Sequence, residues 1–262
     1  MKNRKKDFTF EEFNGIIKVL RGEGGCPWDR EQTHESIKGN LIEEAYEALE
    51  ALDSGDKLKF ADELGDVLLQ VVFHSTIGEE DGTFSIQDVL NLVSEKMISR
   101  HTHIFADDKA ETASEVLETW EKNKLKEKGI SSYAESLKDV CKYLPALIYA
   151  AKVQKKASKA GMDWDSAKDA LSKIMEEASE IEAAIKNDDA AELEEEIGDI
   201  LFSCVNVARL SGIDAESALK KATEKFIKRF SLVEEEAKCQ GKDMAKMTLS
   251  ELDEIWDKVK HK

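Results

Sequence analysis

A set of five carboxylates occurs twice in this chain at the same internal spacing. Glu43, Glu44, Glu47, Glu63 and Asp66 recur 133 positions later as Glu176, Glu177, Glu180, Glu196 and Asp199. The match extends to uncharged positions: Ala45 with Ala178, Gly65 with Gly198, Leu68 with Leu201, and Val72 with Val205. A repeat that preserves acids and apolar residues together is a copied structural unit, so the fold has to accommodate two similar halves.

Helical geometry gives the acids a purpose. Residues three or four apart share a helix face, so Glu44 with Glu47, and Glu63 with Asp66, form two-carboxylate claws. Glu177 with Glu180, and Glu196 with Asp199, do the same in the second half. Two facing claws make an all-oxygen cage, which is unfavourable until a cation neutralises it. Hard oxygen ligands without Cys or His suit Mg2+ first and Mn2+ next.

One acidic run alone is ordinarily a solvated helix face. The stripe Leu41, Ala45, Ala48, Leu52 leaves Glu44 at its border and Glu43 and Glu47 on the opposite side. The second helix is more telling: Asp66 shares a face with Leu69 and Phe73, and Asp199 with Phe202. A carboxylate on an apolar face needs a partner.

The chain has two prolines, 41% hydrophobic and 35% charged residues, and apolar residues at helical spacing almost throughout. No alternating β-branched run suggests a sheet, so the predicted class is all-α. The formal net charge is −17 with no basic tail or stripe, which argues against nucleic-acid binding because phosphate backbones need clustered Lys and Arg. A small phosphorylated ligand carried in with Mg2+ stays compatible. Cys26, Cys141, Cys204 and Cys239 form no CxxC pair, consistent with a reduced cytoplasm. The start, MKNRKKDFTFEEF, has basic residues but no apolar stretch behind them and does not read as a signal peptide. The longest apolar run, near Val67 to Phe73, is too short to span a bilayer.

Thr9 with Glu12 predicts a capping box opening a helix to Leu20. The acid-bearing helices of the first half are expected over Glu31 to Leu52 and Lys57 to Gly78, broken at Asp53, Ser54 and Gly55. Helices from Ser85 to His101 and from Ser114 to Lys128 follow. GISSYAE, 129–135, is the expected linker, giving domains over 1–130 and 131–262. The second half then repeats the plan. MDWD around Trp164 echoes PWD around Trp28, and EKFIKRF from Glu224 echoes EKMISRH from Glu95. IWDKVK around Trp256 echoes TWEKNK around Trp120.

These echoes add basic groups. Lys96 with Arg100 and Lys225 with Arg229 are i,i+4 pairs, and Trp120 with Lys124 parallels Trp256 with Lys260. Arg offers a planar fork and Lys a point charge to phosphate oxygens. The plain alternatives are surface pairing for the bases and core packing for Trp. His101 and His103 occur in the first half alone, and a proton-donating or capping role suits them better than metal ligation. Glu31 with His34 has no second copy, which argues against a ferritin-like di-iron site.

GCPWDREQTHESI, LIEEAYEALEAL, ELGDVLLQVVF and RHTHIFAD, in that order, resemble the MazG family of nucleoside triphosphate pyrophosphohydrolases. LPALIYAAKVQKKA through GMDWD resembles the start of that family's second domain, so the likeness covers nearly the whole chain. The resemblance implies an all-α, homodimeric protein whose helices complete four-helix bundles around Mg2+. It implies cleavage of nucleoside triphosphates to monophosphate and pyrophosphate with broad base tolerance. By position it makes Glu177, Glu180, Glu196 and Asp199, with Glu44, Glu47, Glu63 and Asp66, metal ligands. Glu176 and Glu43 would support them or orient water. Lys225, Arg229 and Lys260 would meet the phosphates, with Trp256 beside the nucleotide, and the second domain would carry the main activity. One departure stands out: the family commonly has a Lys four residues before the Glu of ExxD, as Lys59 is here, and the second half has Glu192. A non-catalytic nucleotide sensor or partner-binding module that keeps the cage is the alternative function.

Overall fold

A computed structural model describes residues 7–260; the basic start of the chain at 1–6 and the last two residues lie outside the described part. Among the described residues every regular element is helical and none is a strand, as the periodicity predicts. The chain divides into two compact units, Met1–Lys124 and Leu125–Lys262. No described helix is long and apolar enough to cross a membrane.

In the first unit α1 (Phe10–Arg21) opens on the expected capping box. The Thr9 hydroxyl accepts from the Glu12 amide, and the Glu12 carboxylate accepts from the Thr9 amide at 2.9 Å. Proline at the first position starts the short α2 (Pro27–Glu31). The acid-bearing hairpin is α3 (Lys38–Ser54) and α4 (Lys57–Glu80). Gly55 turns it at φ 76°, where L side chains are strained, and Asp56 caps α4 by accepting from the Leu58 and Lys59 amides. Then follow α5 (Ile86–Arg100), α6 (Thr102–Phe105) and α7 (Ala113–Glu127).

α3 begins at Lys38, later than the periodicity suggests. Thr33 and Ser36 exchange side-chain to backbone bonds, Thr33 N to Ser36 Oγ at 2.9 Å and Ser36 N to Thr33 Oγ1 at 3.2 Å. Such local bonds compete with the helix ladder. Ile17, Ile37, Val72, Phe73 and Ile77 form the core, packed by Phe10, Phe13, Leu69 and Ile86. Arg21 ties α1 to α4: its guanidinium donates to Glu80 at 3.0 and 2.6 Å and lies 5.0 Å over the Phe73 ring.

The second unit contains α8 (Tyr133–Lys138), α9 (Ala146–Ser158), α10 (Ala167–Asn187), α11 (Ala190–Leu210), α12 (Ala215–Cys239) and α13 (Leu249–Val259). A single 3-10 turn, Met244–Lys246, precedes α13. The 129–135 segment lies inside this unit, where Ser132 and Glu135 form the capping box of α8. The α10–α11 hairpin repeats α3–α4, with Asp188 at φ 53° where the first copy has Gly55, and Asp189 capping α11 as Asp56 caps α4. Asp tolerates the left-handed region better than most residues because its short side chain bonds locally. The Gln154 amide of α9 donates to the Phe202 carbonyl of α11 at 2.8 Å. α13 packs on α12 through Val233, Ala237, Ile255 and Val259.

Candidate metal centre

The second hairpin brings its acids together. One carboxylate oxygen from each of Glu177, Glu196 and Asp199 lies within 4.8 Å of the others. Glu177 is 2% exposed. Lys173, one turn earlier on α10, places Nζ 2.7 Å from Glu177 Oε1 and 2.9 Å from Glu176 Oε1. The ammonium holds Glu177 below the usual carboxylate range despite its burial. Glu180, which shares a hydrogen bond with Glu177, is pushed up. Glu196 is pushed up to about 7, first by desolvation and then by its bond to Glu177 and the charges of Glu180, Glu177 and Asp199. The cluster therefore carries more negative charge than Lys173 alone neutralises.

The first hairpin builds the same trio from Glu44, Glu63 and Asp66, again within 4.8 Å. Desolvation raises Glu44, followed by the charges of Asp66, Glu47, Glu43 and Glu63. Glu63 is raised by desolvation and by Glu47, against the opposing pull of Lys59. Glu47 and Glu180 stand outside the two trios, near enough to act on them electrostatically. In each copy the donor set is all oxygen, close-set and over-charged, which is the chemistry a hard divalent cation satisfies. The carboxylates fit such an ion.

The apolar face expected around Asp199 is not covered within the chain, because Asp199 is exposed and Phe202 is 44% exposed. Around Asp66 the expectation is closer: Phe73 is buried and Leu69 packs on the core.

The basic residues lie on α12 and α13. Lys225 is exposed, and the half-buried Arg229 sits 6.0 Å over the Trp256 ring. Trp256 packs 5.3 Å from Phe226 and joins the α12–α13 core. Lys260 follows at the exposed end of α13. Among the described residues no ion pair binds Lys225, Arg229 or Lys260 to a carboxylate. The echo holds in three dimensions: in the first unit Arg100 lies 5.4 Å over Trp120, and His101 packs on that ring at 4.8 Å. His101 is also the C-cap of α5.

Three groupings were not drawn from the sequence. Lys173 with Glu177 is an i,i+4 pair that spacing alone could have flagged. A cavity of about 510 Å3 in the second unit opens between α9, the Met162–Trp164 turn and α11. Arg209 forks onto Asp163 there, with Nη1 to Oδ2 at 3.1 Å, and also donates to Asn206. Gln154 Oε1 and Arg209 Nε are buried without a partner. In the first unit His34 and His74 stack with their Nδ1 atoms 2.8 Å apart, a pairing no sequence spacing could show.

Fold and site together define a tandem all-α protein with a close-set carboxylate cluster that could hold a metal ion on a helical hairpin in each half. Residues 32–105 and 165–233 each match the MazG nucleotide pyrophosphohydrolase domain, and the chain belongs to that family. It is 44% identical to the nucleoside triphosphate pyrophosphohydrolase/pyrophosphatase MazG of Thermotoga maritima over 98% of both chains. It is 42% identical to the nucleoside triphosphate pyrophosphohydrolase of Escherichia coli over 94% of both. The uncharacterized protein YabN of Bacillus subtilis matches at 47% identity over 96% of this chain and 51% of its own length.

Proposed function

We propose that the chain is a metal-dependent nucleoside triphosphate pyrophosphohydrolase that yields nucleoside monophosphate and pyrophosphate. The observation that carries this is the buried Glu177 carboxylate gathered with Glu196 and Asp199, in a chain whose two relatives named above bear that activity in their names. Glu177, Glu180, Glu196 and Asp199 would hold Mg2+, with Mn2+ as a substitute, and Glu44, Glu47, Glu63 and Asp66 would do so in the first unit. A bound divalent ion supplies charge neutralisation to the phosphate oxygens. Glu176 and Glu43, one residue ahead of their clusters, help orient the attacking water. That water forms the new bond at the α-phosphorus as the bond to the bridging oxygen breaks. Lys225, Arg229 and Lys260 receive the charge of the departing pyrophosphate.

The cavity beside α11 starts at Phe202, one turn beyond Asp199, and its size and mostly apolar lining leave room for different bases, in keeping with broad base tolerance. Trp256 supports the nucleotide side through Arg229. The half-open carboxylate clusters and the apolar residues exposed along both hairpins support a homodimer in which hairpins pair into four-helix bundles. The second unit is the main catalytic one, and a cytoplasmic setting with no nucleic-acid partner fits the acidic charge.

A panel of nucleoside triphosphates, incubated with and without Mg2+ and resolved by chromatography, tests the reading. Monophosphate and pyrophosphate appearing together only with the metal is the expected result. Diphosphate with orthophosphate would place the cut at the other bond. Metal-dependent binding without turnover of any triphosphate would leave a sensor.

A further inference from the structure

The α3–α4 hairpin is closed at one end by the Gly55–Asp56 turn, and two imidazoles hold its open end. His34, on the 32–37 turn that leads into α3, places Nδ1 2.8 Å from Nδ1 of His74 on α4, with the ring planes 6° apart. Two neutral imidazoles meet at that distance when one Nδ1–H donates and the other Nδ1 accepts, so the two atoms share a single proton. The Phe84 ring lies 5.8 Å from His34, and Nε2 of His74 is buried without a partner. Ile37, three residues after His34, is fixed in the core at 3% exposure. The pair therefore sits where the turn becomes packed chain.

We infer that His34 and His74 form a proton-operated clasp, which holds the open end of the α3–α4 hairpin shut while the pair carries one proton between its Nδ1 atoms and releases it when a second proton arrives from solvent. The surroundings give that second proton no counter-charge. Leu41, Val71, Ser75, Phe84 and Val89 line a hollow of about 430 Å3 beside the pair. Apart from His74, α4 has no charged side chain between Asp66 and Glu79, and α3 has none between Lys38 and Glu43. On α5, Asp88 is taken by the Ser85 amide and hydroxyl at 2.8 and 2.7 Å. On α1, Lys18 and Arg21 are taken by Glu79 and Glu80. Glu31 at the end of α2 and Glu35 on the turn are exposed. Burial first and His34 second hold His74 below the ordinary 6.5, against the smaller upward pull of Glu35. A second proton sets N–H against N–H at hydrogen-bond distance with the new charge partly out of water, and turning His34 out to solvent relieves both. Because His74 lies below 6.5 while the clasp is shut, the shut state binds fewer protons than the open one. It is favoured above pH 6.5 and loses ground as pH falls through that value. Glu44 follows within two turns of the start of α3, so release loosens the helix just ahead of the first carboxylate cluster, whatever that cluster binds.

Hydrogen exchange of the full chain, read peptide by peptide at pH 7.5 and 5.5 and corrected for the intrinsic pH dependence of exchange, tests the clasp. Opening of 33–40 should be about three- to tenfold more frequent at pH 5.5, while 50–58 at the Gly55 end keeps its protection. His34→Phe with His74→Phe keeps two packed rings and removes the titration, so its 33–40 segment should be protected alike at both pH values. Unchanged protection of 33–40 in the unaltered chain overturns the inference. An equal acid-induced rise in the double variant overturns it too, as does a rise that reaches 50–58 to the same extent, which is plain unfolding of the hairpin. Should circular dichroism show the double variant unfolded, His74→Gln takes its place: the neutral amide accepts from His34 in either protonation state, and 33–40 should again ignore the pH. An acid response retained there would rule the clasp out.

Discussion

At the scale of single residues, the site is a problem of excess charge. Glu196 is pushed up to about 7 because burial removes water from it and because it bonds Glu177 and faces the charges of Glu180, Glu177 and Asp199. For an acid whose folded value exceeds its ordinary 4.5, the apo protein binds more protons than the unfolded chain between these values and gains stability as pH falls from 7 towards 4.5. A metal ion needs the opposite, ionised form. The rise in Tm caused by saturating Mg2+ should therefore be larger at pH 8 than at pH 6, as followed by differential scanning fluorimetry; an equal rise would separate Glu196 from the metal. The same carboxylates distinguish the two copies. Glu196→Gln with Asp199→Asn keeps shape and removes two anionic ligands, and should lower pyrophosphate release on the order of 100-fold. Glu63→Gln with Asp66→Asn should leave more behind. The reverse ranking would make the first unit the enzyme. The carboxylate set was legible in the sequence because helix spacing is local. The Lys173 bridge needed only the same rule, applied to a base among the acids.

At the scale of elements, α12 and α13 present charge and anchor it. Arg229 is half-buried over Trp256, which is fixed by Phe226 and the Val233–Ile255 core, while Lys225 one turn earlier is free to face a ligand. Replacing Lys225 and Arg229 with Ala should raise KM for triphosphates and lower kcat/KM by tenfold to on the order of a thousandfold. Monophosphate binding, measured by calorimetry, should change much less, and equal weakening of both would mean that the pair does not read the outer phosphates. The choice for Trp256 between core and nucleotide was open in the sequence. An indole can fill either place, and packing on α12 gives it both a buried side and a basic neighbour. The helix boundaries were legible where caps are local, as at Thr9 and Glu12. The helix expected from Glu31 gives way to a turn over 32–37, where Thr33 and Ser36 bond each other instead of extending α3.

At the scale of the whole molecule, both hairpins keep apolar residues exposed on the chain taken alone: Leu41, Leu49, Leu52 and Leu68 in the first, Leu171, Ile185, Ile197 and Leu201 in the second. Surface of that kind costs free energy in water and is relieved by burial against another helical layer. Light scattering after size exclusion should give about twice the 29.4 kDa chain mass. A mass of one chain at micromolar concentration would leave the four-helix bundle without its second half.

The sequence by itself determined the duplication, the helical class, the two acidic clusters and the family, because all of these are written in spacing along one chain. Only the tertiary structure decided that Glu177 is the buried acid, that Asp163 and Arg209 frame a cavity beside α11, and that His34 meets His74. Those pairings join residues on different helices or depend on how deeply a side chain is packed. Neither separation in space nor burial is a function of the intervals between residues.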